Sequence, residues 1–212
     1  MTSIGAADLK RMFDAIAEAI EADKDRLCQL DGVIGDADHG IAMALGFNAA
    51  RDALAPLELS ATDPTALLNI AAKSFLNAVG ASSGPLYATA FMRGAAAVKG
   101  KAILTDADIV ALFQAMAQGI HDRGKAEIGE KTMVDAWLPA AQAAAAAHAD
   151  GKTLSESLAA ALEAAERGAE ATKDMIAAKG RSSRLGERSL GHMDPGAASA
   201  VTVIGAIRKS LG

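Results

Sequence analysis

Apolar residues recur every three or four positions along almost the whole chain, and no segment alternates apolar with polar over the length of a strand. Leu9, Met12, Phe13, Ile16 and Ile20 open the series, and Leu27 and Leu30 continue it. Ile109, Leu112, Phe113, Met116 and Ile120 repeat it. Spacing of i, i+3, i+4 gathers such side chains on one stripe of an α-helix. A chain patterned this way buries its stripes by packing helix against helix.

Local punctuation divides the pattern into eight helices. The first is followed by an acidic turn, and a second runs from about Gly40 to Leu54. Asp63 and Pro64 start a third that closes at Gly80, and Pro85 starts a fourth. "TDADIVALFQAMAQGIHDRG" gives a fifth, and "KTMVDAWLPAAQAAAAAHADG" a sixth, bent near Pro139. A long seventh is expected from near Ser155 to Lys179, and an eighth from Asp194-Pro195 to the C-terminus. Short connections make neighbours antiparallel. The expected fold is all-α, a single domain over residues 1–212 with eight helices in an up-and-down helical barrel. Aromatics are only 3 % of the 212 residues against 51 % hydrophobic, so the core is expected to consist of Ala, Leu, Ile, Val and Met.

Charge and cysteine usage narrow the function. A net charge of −5 with no block of one sign argues against nucleic acid or an anionic membrane surface as partner. Cys28 is the single cysteine, which excludes an intramolecular disulfide and a Cys-rich metal site. The N-terminal stretch "MTSIGAADLKRMFDAI" has acidic residues and a helical period where a leader would be basic then apolar. No uncharged apolar run approaches the about 18 residues of a membrane span. A cytoplasmic location is the expectation.

Chemistry concentrates in four connections. "DGVIGDADHG" holds Asp31, Asp36 and Asp38 within eight positions, all oxygen donors of the kind that hard cations prefer. A solvated acidic turn accounts for these residues as well as a metal site does. Next, His39 and Gly40 lead into the second helix, whose N–H groups suit a phosphate. "VGASSGPLYAT" sets glycines and serines before a helix start, which suits phosphate oxygens but equally a plain capped connection. "RGKAEIGEKTMVDAW" reads by itself as a surface loop, with Met133 able to cover a purine face or simply to fill core. "KGRSSRLGERSLGHMDPGA" is a long polar loop with several arginines, a side chain well matched to phosphate. In an up-and-down arrangement the connections after helices one, three, five and seven share one rim, and these are the four just described. A rim of carboxylates, hydroxyls and guanidinium groups is what a Mg²⁺–nucleotide site requires.

The motifs "IGDADHG", "GASSGPL", "RGKAEIGEKTM" and "GRSSRLGERSLGHMDPGA" resemble those of the nucleotide-binding L subunit of dihydroxyacetone kinase, and the resemblance extends over nearly the whole chain. It implies an antiparallel eight-helix barrel in which Asp31, Asp36 and Asp38 coordinate two Mg²⁺ ions that bridge the phosphates of ADP or ATP. It implies nucleotide contacts from His39, Gly40, Ile41, Ala42, Ser82, Ser83, Gly124, Met133, Arg181 and the Asp194-Pro195-Gly196 turn. Arg181 would also stabilise the transferring charge. Two positions depart from the family pattern: Ala42 where asparagine is usual, and Ala88 where glycine is common, narrowing the space behind the nucleotide.

The same resemblance implies a partner. A separate K subunit binds the hydroxyketone covalently through a histidine, and the L subunit supplies the phosphoryl group. In one version ATP is exchangeable; in the other ADP stays bound and is rephosphorylated by a phosphotransferase-system protein. Related nucleotide domains serve kinases for erythrulose or fatty acids, and a non-catalytic nucleotide- and metal-binding regulator would need the same aspartates. For His39 and His192 a hydrogen-bonding role is expected rather than a phosphohistidine, and His121 and His148 are expected at the surface.

Overall fold

The computed structural model describes residues 3–212, so Met1 and Thr2 of the N-terminal stretch lie outside the described residues. The helices are α1 (Ala6–Ile34), α2 (His39–Leu54), α3 (Pro64–Ala78), α4 (Ser83–Ala97), α5 (Asp106–Gly124), α6 (Val134–Ala149), α7 (Leu154–Ala171) and α8 (Pro195–Leu211). Each packs against the next, and α8 returns to α1 and closes the ring. The chain therefore forms the all-α barrel that its periodicity predicts.

Local chemistry fixes the helix starts. Asp63 Oδ1 accepts from Ala66 N–H at 2.7 Å and Asp194 Oδ2 from Ala197 N–H at 2.7 Å, each with proline at the first helical position. Thr105 and Thr153 build capping boxes with Asp108 and Glu156. Helix α6 runs on through Pro139.

Two boundaries differ from expectation. Helix α1 continues to Ile34, so Asp31 belongs to its last turns rather than to the loop. Helix α7 ends at Ala171, not Lys179. The Thr172 carbonyl accepts from Met175 N–H at 3.2 Å and from Lys131 Nζ at 2.5 Å, so a tighter 3₁₀ turn replaces the i+4 ladder. The long polar connection that follows is ordered. Arg181–Ser189 is 3₁₀-helical, and the buried Ser189 hydroxyl donates to Gly186 O at 2.7 Å and accepts from Ala177 N–H at 3.0 Å.

The core also differs from the aliphatic one expected. Phe13, Phe47, Phe75, Tyr87, Phe91, Phe113 and Trp137 are all buried, and ring contacts 5.0–6.2 Å between centroids join them in one network. A ring of helices leaves an interior that only large side chains fill, while alanine faces let neighbouring helices approach closely. The α6–α7 contact shows the second half of this. It buries Ala140, Ala141, Ala144, Ala161 and Ala165, and a Cβ at Gly168 would stand 1.9 Å from the Asp135 carbonyl oxygen.

Candidate metal and phosphate site

At one rim of the barrel, residues from all four odd connections line a cleft of about 780 Å³. Asp31, Asp36 and Asp38 stand at its lip, with a carboxylate oxygen of each within 4.8 Å of the others. Asp31 is the anchored member. Its Oδ2 accepts the backbone N–H groups of Asp38 at 2.9 Å and His39 at 3.2 Å, tying the end of α1 to the start of α2. A Cβ at Gly35 would lie 2.2 Å from Asp31 Oδ1, so that glycine leaves the carboxylate its space. Between Asp36 and Asp38 the chain turns left-handed at Ala37 (φ 62°). The guanidinium of Arg181 reaches in from the α7–α8 connection and forms ion pairs with Asp36 and, at 3.4 Å, with Asp38. A donor set made only of carboxylate oxygens, partly exposed and already attracting a cation, fits a hard divalent ion and not zinc.

The predicted phosphate contacts are brought together unevenly. Ser82 and Ser83 line the cleft at the start of α4, and Ser82 makes no side-chain cap bond there. His39, Ala42, Gly124, Met133, Arg181, Asp194, Pro195 and Gly196 line it too. Gly40 and Ile41 do not. Gly40 packs on α1, where a Cβ would stand 2.0 Å from the Lys24 carbonyl oxygen, and the Ile41 side chain points outward, 50 % exposed. These two positions can contribute only backbone N–H groups, since that of His39 is used by Asp31. Ala88 is buried and away from the cleft wall.

His39 is held by a chain of polar groups running into the aromatic core. Its Nε2 bonds Ser199 Oγ at 2.9 Å, and Ser199 Oγ donates to Gly196 O at 3.0 Å. The Tyr87 hydroxyl also meets Ser199 and accepts from Trp137 Nε1–H at 3.4 Å. Burial lowers the His39 pKa against the opposing pull of Asp31, and it pushes Tyr87 up to about 12. A neutral ring fixed at Nε2 suits hydrogen bonding. His121 and His148, expected at the surface, are half-buried, and His121 Nε2 bonds Glu127 at 3.2 Å.

Sequence reading missed the residue that fastens these loops. Lys131 takes a left-handed φ of 60° and is 1 % exposed. Its ammonium donates to the carbonyls of Thr172 and His192, joining the α5–α6 connection to both ends of the α7–α8 connection. Burial depresses its pKa, and Asp194, Asp135 and Asp174 pull it back. Asp135 accepts from Gly129 N–H at 2.6 Å and Thr132 N–H at 2.7 Å, closing the same loop. Asp194, with its carboxylate capping α8, is pushed up to about 7 by burial, which the Ala197 N–H and Lys131 oppose. Arg123, Thr132, Lys179 and Arg184 also line the cleft unforeseen. All four stand within the polar segments quoted above without being singled out there, and Arg184 is also three residues from Arg181.

Residues 33–209 match the DAK2 domain. The ADP-binding subunit DhaL of PEP-dependent dihydroxyacetone kinase 2 from Listeria innocua is 38 % identical over 192 residues, covering 91 % of this chain and 88 % of that one. The corresponding Escherichia coli subunit is 36 % identical over 197 residues, with 93 % of each chain covered. Among solved structures, the native dihydroxyacetone kinase of C. freundii superposes with a TM-score of 0.74 at 26 % identity, over 96 % of this chain and 34 % of that one. The chain belongs to the DAK2 domain family, which includes the ADP-binding L subunits of dihydroxyacetone kinase.

Proposed function

We propose that this chain is the nucleotide-binding subunit of a Mg²⁺-dependent phosphotransferase. It holds ADP or ATP in the rim cleft and passes the γ-phosphoryl group to dihydroxyacetone, or a similar small hydroxyketone, carried by a separate K subunit. The observation that carries this reading is the convergence of Asp31, Asp36 and Asp38 within 4.8 Å beside a serine- and arginine-lined cleft. The Listeria innocua and Escherichia coli relatives, which are ADP-binding subunits of PEP-dependent kinases, support it.

Two Mg²⁺ ions held by the three aspartates would neutralise phosphate oxygens at the transfer centre. The chain's own groups do the rest. Ser82 and Ser83 donate hydroxyls to phosphate, and the α2 start adds the N–H groups of Gly40 and Ile41. Gly124 and Met133 border the base, with Leu86 and Ile120 completing an apolar wall. Arg181, which pairs with Asp36 and Asp38 at the cleft, would stabilise charge on the transferring phosphoryl group. The PEP dependence of the relatives favours a fixed ADP recharged by a phosphotransferase-system protein, and a cytoplasmic site of action follows from that donor.

Native mass spectrometry, before and after dialysis against Mg²⁺ buffer, tests the reading. Retained ADP with two metal ions supports a fixed cofactor, and reversible uptake of Mg²⁺–ATP supports an exchangeable substrate. A chain that binds neither removes the nucleotide function.

A further inference from the structure

We infer that Arg184 is a specificity-determining residue of the cleft, reading the outermost phosphate that distinguishes a nucleoside triphosphate from a diphosphate. The inference rests on the nucleotide reading proposed above. Arg123, Lys179, Arg181 and Arg184 are the basic side chains lining the cleft. Lys179 pairs with Glu130 at 3.6 Å, and Arg181 pairs with Asp36 and Asp38. The Arg184 guanidinium has no ion pair or hydrogen bond among the described residues.

Its position along the cleft follows from the backbone. A 3₁₀ helix has three residues per turn, so side chains at i and i+3 eclipse. Arg184 therefore stands one turn, roughly 6 Å, beyond Arg181 on the same side of the Arg181–Ser189 segment. The break in that segment falls later, at Gly186. Because Arg181 touches Asp36 and Asp38, this side of the segment belongs to the metal end of the cleft. Gly124, which the proposed function sets beside the base, faces Leu86 so closely that a Cβ would stand 3.1 Å from its Cδ2. Arg123, the other cleft guanidinium without an ion pair among the described residues, adjoins Gly124 at the end of α5.

The segment that presents Arg184 is already fixed. Ser183 Oγ donates to Gly180 O at 2.7 Å, and Ser189 ties the far end to Gly186 and Ala177. Little backbone freedom remains to be lost when a ligand arrives. A guanidinium also matches phosphate with two parallel N–H donors, which an ammonium does not. Arg184, one turn from Arg181, thus adds a second and unpaired guanidinium for the oxygens of the same terminal phosphate.

Isothermal titration tests this with ADP and with the non-hydrolysable triphosphate AMP-PNP, each with Mg²⁺, after removal of any co-purified nucleotide. Arg184→Gln is expected to weaken AMP-PNP binding about tenfold and ADP binding less than about twofold. Arg184→Lys, keeping the charge without the fork, is expected to fall between. Equal losses for both ligands, or no loss for AMP-PNP, overturn the assignment while wild-type binding keeps the nucleotide reading intact. Wild-type protein that binds neither ligand overturns both.

Discussion

Arg181 and Asp36 form an ion pair across the mouth of the cleft, joining the α7–α8 connection to the α1–α2 connection. The pair sets a guanidinium against the same carboxylates that suit a divalent cation, so the two cations compete for one anchor. Arg181→Ala is expected to lower phosphoryl transfer about a hundredfold while changing Mg²⁺–nucleotide affinity only a few-fold. Turnover with a K subunit, measured beside a nucleotide titration, checks this. An unchanged rate removes Arg181 from the transfer step.

The three aspartates should separate into two kinds. Asp36 is exposed and makes no backbone bond, so Asp36→Ala is expected to abolish Mg²⁺-dependent ADP binding with the melting temperature nearly unchanged. Asp31 also accepts two backbone N–H groups, so Asp31→Ala should add a stability loss of about 1–3 kcal/mol. Thermal melts of the two variants decide it. Equal stability losses would mean that the loop is a structural turn first.

Lys131 should matter to nucleotide affinity without touching the cleft. Lys131→Met removes the ammonium from the Thr172 and His192 carbonyls and leaves Asp194 without its counter-charge. A cost of about 3 kcal/mol is expected, since buried acceptors and a buried acid lose their partner together. Hydrogen exchange should rise across 172–194 before the rest of the barrel opens. Uniform exchange over all helices would assign Lys131 a global role instead.

Asp194 carries a pH signature. Its folded pKa of about 7 lies above the ordinary value of 3.8, so between these limits the native state binds more proton than the unfolded chain. This group's contribution to stability therefore falls as pH rises from about 4 to 7, by at most about 1.4 kcal/mol per pH unit. Asp194→Asn keeps an oxygen for the Ala197 N–H but cannot ionise, so denaturant melts across that range should show a flatter profile. A wild-type slope that persists in the variant assigns the pH dependence to other groups.

Much of the rim was legible because its signals are local. Helical spacing, Asp63-Pro64, Asp194-Pro195 and the Asp31–Asp38 cluster each act within eight residues of chain, and alternation of helix direction then carries all four loops to one end. What stayed hidden depends on distant partners. Nothing near Lys131 announces burial, because its bonds go to Thr172 and His192. The early end of α7 has the same cause, since Thr172 gives its carbonyl to that lysine. The scarcity of aromatics likewise pointed to an aliphatic core. Composition counts side chains but does not say that all seven rings converge on one interior.

Among the described residues the barrel has an even number of α-helices, and that parity has an architectural consequence. Helix α1 begins and α8 finishes at the end away from the cleft, where Ile4 and Leu104 exchange backbone bonds of 3.1 and 2.7 Å. A tether attached at either end of the fold would therefore leave the cleft mouth clear. In the C. freundii kinase the matching part is about a third of a longer polypeptide, and an attachment at that end is compatible with such an arrangement.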